Sequence, residues 1–200
     1  YSAVLGLSGT LVGAALAVGL AADASVDPVI GSWSDNLKSK YGRRLPLMAI
    51  SVPLIALSLG LLFSPPIGLG QIGLFAWLAV MSVAVRSFIS LFNVPYIALG
   101  AELTTDYAER TSVVVYRAFT GICSGVVVTA IGYSIYFANG GLQKPDGYPS
   151  FGWSVAALIF FCLTICCIGI RKYAAALPQP EQVPGSMLRR RRRRLLLQLL

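Results

Sequence analysis

The stretch AVGLAADASVDPVIGSWSDNLKSKYGRRLPLMAISVPLIALSLGLLF, residues 17–63, joins two apolar runs through a short basic loop. Each run is long enough to cross about 30 Å of hydrocarbon, which takes about 20 residues of helix. The loop carries Lys38, Lys40, Arg43 and Arg44 within a few positions. Charged residues confined to the joints of apolar runs are the pattern of a polytopic membrane protein.

The rest of the chain repeats it. Of 200 residues, 56% are hydrophobic and 12% charged, and the mean hydropathy is +0.73. Soluble domains carry about 25% charged residues, so a water-soluble fold is excluded. A spanning window predicts five helices, at 2–33, 45–63, 72–99, 113–137 and 153–170. The expected fold is all-α, a polytopic transmembrane helix bundle.

Short cytoplasmic loops are enriched in Lys and Arg. Arg171 and Lys172 close the fifth run, whereas the turn at 64–69 has no charge. The loop at 34–44 and the end of the fifth run are therefore expected on the cytoplasmic side of the plasma membrane. Five spans ending there put Tyr1 outside, which calls for a preceding helix and agrees with Tyr rather than Met at position 1. Two units follow: a membrane region at 1–173 and a tail at 174–200. The tail holds Pro178, Pro180, Pro184 and six arginines, Arg189 to Arg194. It reads as a disordered or non-native end, the alternative being attraction to anionic membrane lipid.

Asp23 and Asp27 stand out in the first span. Four residues apart, they stack on one helix face. With 1.5 Å of rise per residue, Asp23 lies roughly 15 Å and Asp27 roughly 9 Å inward from an interfacial Trp33. A carboxylate at such depth costs about 2.5–3.5 kcal/mol and needs a partner or a wet cavity. Two carboxylates together suit sodium or a proton, because hard cations prefer oxygen ligands. The plainer reading is that both only pair with a buried arginine for structure.

Arg86 lies inside the third apolar run, with Asn93 seven residues on along the same face, and Arg117 lies inside the fourth. These residues either neutralise the aspartates or hold an anionic or polyhydroxyl substrate. Glycines spaced at four, Gly9 with Gly13 and Gly121 with Gly125, permit close helix packing within the bundle. Asp35, Arg43, Arg44, Glu102, Asp106, Glu109 and Arg110 occupy two inner loops, as members of a cytoplasmic gate or as a solvated face.

Chemistry on covalent bonds is not expected. There is no His, and Cys123, Cys162, Cys166 and Cys167 all lie in apolar runs, so neither a zinc site nor a nucleophile with its base is present. No cofactor is expected beyond a coupling ion. Nucleic-acid binding is rejected despite the net charge of +8, because the excess sits in the arginine tail and the inner loops.

Two long motifs identify a relative. DPVIGSWSDNLKSKYGRRLP at 27–46 and NVPYIALGAELTTDYAERT at 93–111, followed by Arg117, resemble the glycoside-pentoside-hexuronide:cation symporters, the family of melibiose permease within the major facilitator superfamily. The resemblance implies a twelve-helix transporter of which this chain holds helices 2–6, a partial N-terminal half. Helix 1 and the C-terminal half would be its partners, rocking about a midplane site. It implies cation binding by Asp23 and Asp27 and places Arg117 and the Asn93 position at the sugar site; with Arg86 and Tyr96 these make up the expected site for a sugar or glycoside. Asn93 departs from the acid, and Ile97 from the tryptophan, that melibiose permease has at those positions, so a galactoside is not implied. Related sequences also carry amphipathic lipids. A non-transporting sensor on the same fold is the remaining alternative.

Overall fold

A computed structural model describes residues 1, 5–37, 39, 44–66, 68–102, 106–137 and 147–176. Within them the chain forms five helices: α1 (Gly9–Asn36), α2 (Leu45–Leu62), α3 (Gln71–Glu102), α4 (Tyr107–Ile131) and α5 (Gly147–Ala176). All five are long and apolar enough to cross a membrane. The predicted spans are recovered, with ends moved by local chemistry that hydropathy does not register. α1 starts seven residues later than predicted, because Gly6 turns the chain with φ 69° and the Ser8 hydroxyl caps the Leu11 amide at 3.4 Å. α4 starts six residues earlier, where the Asp106 carboxylate accepts from the Ala108 amide at 3.3 Å. A π-helical turn, Gly132–Tyr136, continues it. The 174–200 tail reading falls mostly outside the described residues.

The helices pack in the order α1, α3, α2, α5. One apolar cluster joins α2, α3 and α5 through Met48, Val52, Ile55, Phe92, Leu99 and Cys167. A second joins α1 to α3 near the other membrane face, through Leu7, Ala15, Leu74 and Leu78. Two buried serines of α2 are satisfied within their own helix, as a bilayer demands. Ser51 and Ser58, both buried, donate to the carbonyls of Met48 (2.7 Å) and Ile55 (3.1 Å). Pro28, Pro53 and Pro95 sit within α1, α2 and α3.

The predicted glycine contacts need correction. A methyl group on Gly9, Gly13, Gly121 or Gly125 would meet nothing within 4 Å among the described residues. Close approach occurs instead at Gly60, where a Cβ would come 2.8 Å from the Trp153 ring, and at Gly152 against Phe63. At both sites the partner is a large aromatic ring, not a second backbone. α4 is the outlier. Its described side chains from Ala108 to Val127 are all exposed, including Tyr116, Phe119 and Ile122. It joins the bundle chiefly through the π-helical turn, where Tyr136, Phe137 and Phe151 stack edge to face or tilted.

Candidate functional site: a carboxylate and an arginine at mid-span

Asp23 lies near the middle of α1, fourteen residues after its first residue and thirteen before its last. One turn earlier on the same face is Gly19. Facing them on α3 are Ser82 and Arg86, themselves one turn apart. Arg86 Nη1 donates to Asp23 Oδ2 at 2.9 Å, and the two side chains are 36% and 26% exposed. The other carboxylate oxygen, Oδ1, is buried and has no hydrogen-bond partner among the described residues.

Gly19 makes the pairing possible. A Cβ there would stand 3.0 Å from Arg86 Cδ and 3.2 Å from Nε, so the arginine stem lies across the bare backbone of α1 to reach Asp23. Ser82, buried against the same notch, is 3.9 Å from that Cβ position. Neither Gly19 nor Ser82 was singled out from sequence. The available signal was a glycine four residues before a mid-span acid, a spacing that puts a gap directly beside the carboxylate.

The other predicted residues are distributed around this pair. Asp27 is exposed one turn further along α1 and forms no ion pair among the described residues. Asn93 is exposed on α3, on the same stripe as Arg86. Tyr96 stacks on Phe92, with centroids 5.7 Å apart, and packs against the α2–α3–α5 cluster rather than against the ion pair. Arg117 is exposed on α4, which barely touches α3. Of the residues predicted to hold ion and solute, Asp23 and Arg86 alone form an ion pair among the described residues.

Of the inner-loop charges, Arg44 Nη2 donates to Asp35 Oδ1 at 3.0 Å, fastening the end of α1 to the start of α2. Arg44 is buried and Asp35 is 60% exposed. Asp106 serves as the cap of α4, and the Arg110 amide bonds its carbonyl at 3.1 Å. Arg43 and the Glu102 side chain lie outside the described residues.

A mid-span carboxylate with one oxygen on arginine and the other buried without a donor can do one kind of chemistry well. It can take up a hard cation or a proton on the second oxygen. That uptake weakens the hold on arginine, since a neutralised carboxylate attracts a guanidinium far less.

Comparison with known proteins gives this geometry a family. The family model described as "MFS/sugar transport protein" matches residues 1–195. An uncharacterised symporter of Synechocystis is 35% identical over 148 residues, 72% of this chain and 27% of that protein. The sodium-dependent lysophosphatidylcholine symporter 1 of Gallus gallus is 32% identical over 118 residues, 58% of this chain and 22% of that protein. The lactose permease of Lactobacillus helveticus is 30% identical over 156 residues, 74% of this chain and 24% of that protein. The chain thus spans about a quarter of the length of these curated relatives. With five membrane-length helices and a family model matched over nearly its whole length, the chain is an integral multi-pass membrane protein that belongs to the MFS/sugar transport protein family.

Proposed function

We propose that the whole protein is a secondary active transporter that couples entry of sodium or a proton to uptake of a small organic solute by alternating access, with no covalent step. The observation that carries this reading is the Asp23–Arg86 pair at mid-span, with Asp23 Oδ1 buried and without a partner among the described residues. In this reading the coupling ion binds Asp23, with Asp27 one turn away as its second carboxylate. Arg86 is thereby released toward the solute. Binding of ion and solute then favour one another because each relieves the same ion pair, and such coupling is reciprocal.

The solute is proposed to be a sugar or glycoside, in line with the relative named lactose permease. Asn93, Tyr96 and Arg117 complete its site when the two halves of the transporter close around it. Asp35 and Arg44, with Arg43, Glu102, Asp106 and Arg110, form the cytoplasmic gate, and the loop at 34–44 faces the cytoplasm of the plasma membrane. A second reading, an amphipathic lipid solute, is favoured by the relative named as a lysophosphatidylcholine symporter.

The test is accumulation by proteoliposomes of the whole protein, offered lactose, methyl glucuronide or lysophosphatidylcholine under an imposed sodium or proton gradient. Accumulation of one solute above its bath concentration under one gradient supports the reading and chooses between the two solute classes. Equilibration without accumulation under either gradient, by folded protein that does pass the solute, refutes ion coupling.

A further inference from the structure

Ala15, Gly19 and Asp23 follow one another at one-turn intervals along one stripe of α1, and Ala15 and Gly19 are buried. Asp23 thus ends a run of small residues, and the stem of Arg86 lies over the last of them. Ser82, one turn before Arg86 on α3, is also buried and borders the same notch. The stem fills the notch closely. The 3.0 Å and 3.2 Å that would separate a Gly19 Cβ from Arg86 Cδ and Nε are shorter than ordinary van der Waals contact.

A methyl group at Gly19 can be accommodated in two ways: the helices separate, or the arginine stem moves. The seam is also held by Leu7 and Ala15 packed with Leu74 and Leu78. Arg86, by contrast, is a long side chain that is 36% exposed. The stem is the part that gives. Its guanidinium then leaves the 2.9 Å contact with Asp23 Oδ2, and a charged hydrogen bond weakens steeply as distance and angle depart from their optimum. Asp23 Oδ1, without a partner among the described residues, adds no second bond that would hold the pair in place.

We propose that Gly19 is a positioning residue for ion coupling: by admitting the Arg86 stem, it sets how firmly the guanidinium competes with the coupling ion for Asp23. This role rests on Asp23 being the ion site, as proposed above. The strength of the competition is then set one turn away from the carboxylate, by a missing side chain and not by the charged groups alone. A firm hold keeps Asp23 and Arg86 engaged with each other until ion and solute arrive together. A loosened hold opens Asp23 to the ion and Arg86 to the solute independently.

The test uses proteoliposomes of the whole protein, offered whichever of lactose, methyl glucuronide or lysophosphatidylcholine the unsubstituted protein accumulates. The solute is held well below its own half-saturation, and the ion concentration giving half-maximal uptake is measured. Gly19→Ala should lower that concentration about fivefold, part of the worth of one charge-assisted hydrogen bond. It should also let solute equilibrate with no ion gradient imposed, at a reduced accumulation ratio. A merely structural role lowers the maximal rate and the folded yield while the ion requirement stays where it was. That result, or a raised ion requirement, overturns the proposal. Should Gly19→Ala elute as aggregate on size exclusion, Arg86→Lys decides. It keeps the charge but gives up the paired donors of the guanidinium, so it should lower the ion requirement in the same direction, and an unchanged requirement again overturns the proposal. Failure of the unsubstituted protein to accumulate any of the three solutes under either gradient refutes the ion-coupled reading itself, and this role with it.

Discussion

The α1–α3 seam and α4 are built from similar material and end in opposite environments. Both are apolar helices carrying small residues and one inward-placed arginine. In the seam, the glycine at 19 is buried, a serine lines the notch, and Arg86 is held by a carboxylate. On α4, Gly121 and Gly125 meet nothing, and Arg117 is exposed without an ion pair among the described residues. Composition alone does not distinguish them. What does is the presence of an opposing acid across the interface, because a buried charge is tolerated where its partner is already in place. The seam is a finished contact, whereas α4 offers its faces to lipid or to further protein.

Breaking the seam at its charge should have the largest effect. Arg86→Ala leaves Asp23 without its partner and should cost on the order of 2 kcal/mol of stability, less than the 3–5 kcal/mol of a fully buried pair because both side chains are partly exposed. Folded yield after detergent extraction should fall, and Asp23→Asn added to Arg86→Gln should restore it. Normal yield from Arg86→Ala alone would show that the pair does not hold the helices together.

Next in size is the glycine contrast. Gly19→Ala puts a methyl 3.0 Å from Arg86 Cδ and should destabilise by about 1 kcal/mol. Gly121→Ala, in open space on a helix, should stabilise by roughly 0.5–1 kcal/mol. Opposite shifts in the thermal unfolding midpoint are expected. Shifts of the same sign and size would erase the distinction between the two regions.

The smallest effect on folding is expected from Arg117→Ala, within about 0.5 kcal/mol, as for a side chain with no fixed partner. If Arg117 contacts the solute, this same variant should raise the solute concentration giving half-maximal uptake by about tenfold, one charge-assisted hydrogen bond's worth. Unchanged uptake with unchanged stability would remove Arg117 from the site.

Much of this was legible in the sequence. The five spans follow from apolar length, and the need of Asp23 for a basic partner follows from its depth. Arg86 was one of two arginines able to supply it. The choice between Arg86 and Arg117 was not legible, since it depends on which helix packs on α1, and periodicity within one helix carries no record of its neighbour. Gly19 was missed for a related reason. Paired small residues mark two backbones in contact, whereas here one glycine accommodates an arginine stem. Gly60 under the Trp153 ring repeats the lesson. The helix ends moved because caps at Ser8 and Asp106 act through single hydrogen bonds that a hydropathy window averages away.

The most direct test of the account is ion-driven accumulation by the Asp23→Asn variant of the whole protein, compared with the unsubstituted protein in the same proteoliposomes. Asparagine keeps the size and a hydrogen bond to Arg86 but removes the charge that would attract a cation. The account predicts that solute still equilibrates across the membrane while accumulation above the bath concentration is lost. Accumulation at the unsubstituted level would contradict it and leave the Asp23–Arg86 pair a structural contact alone.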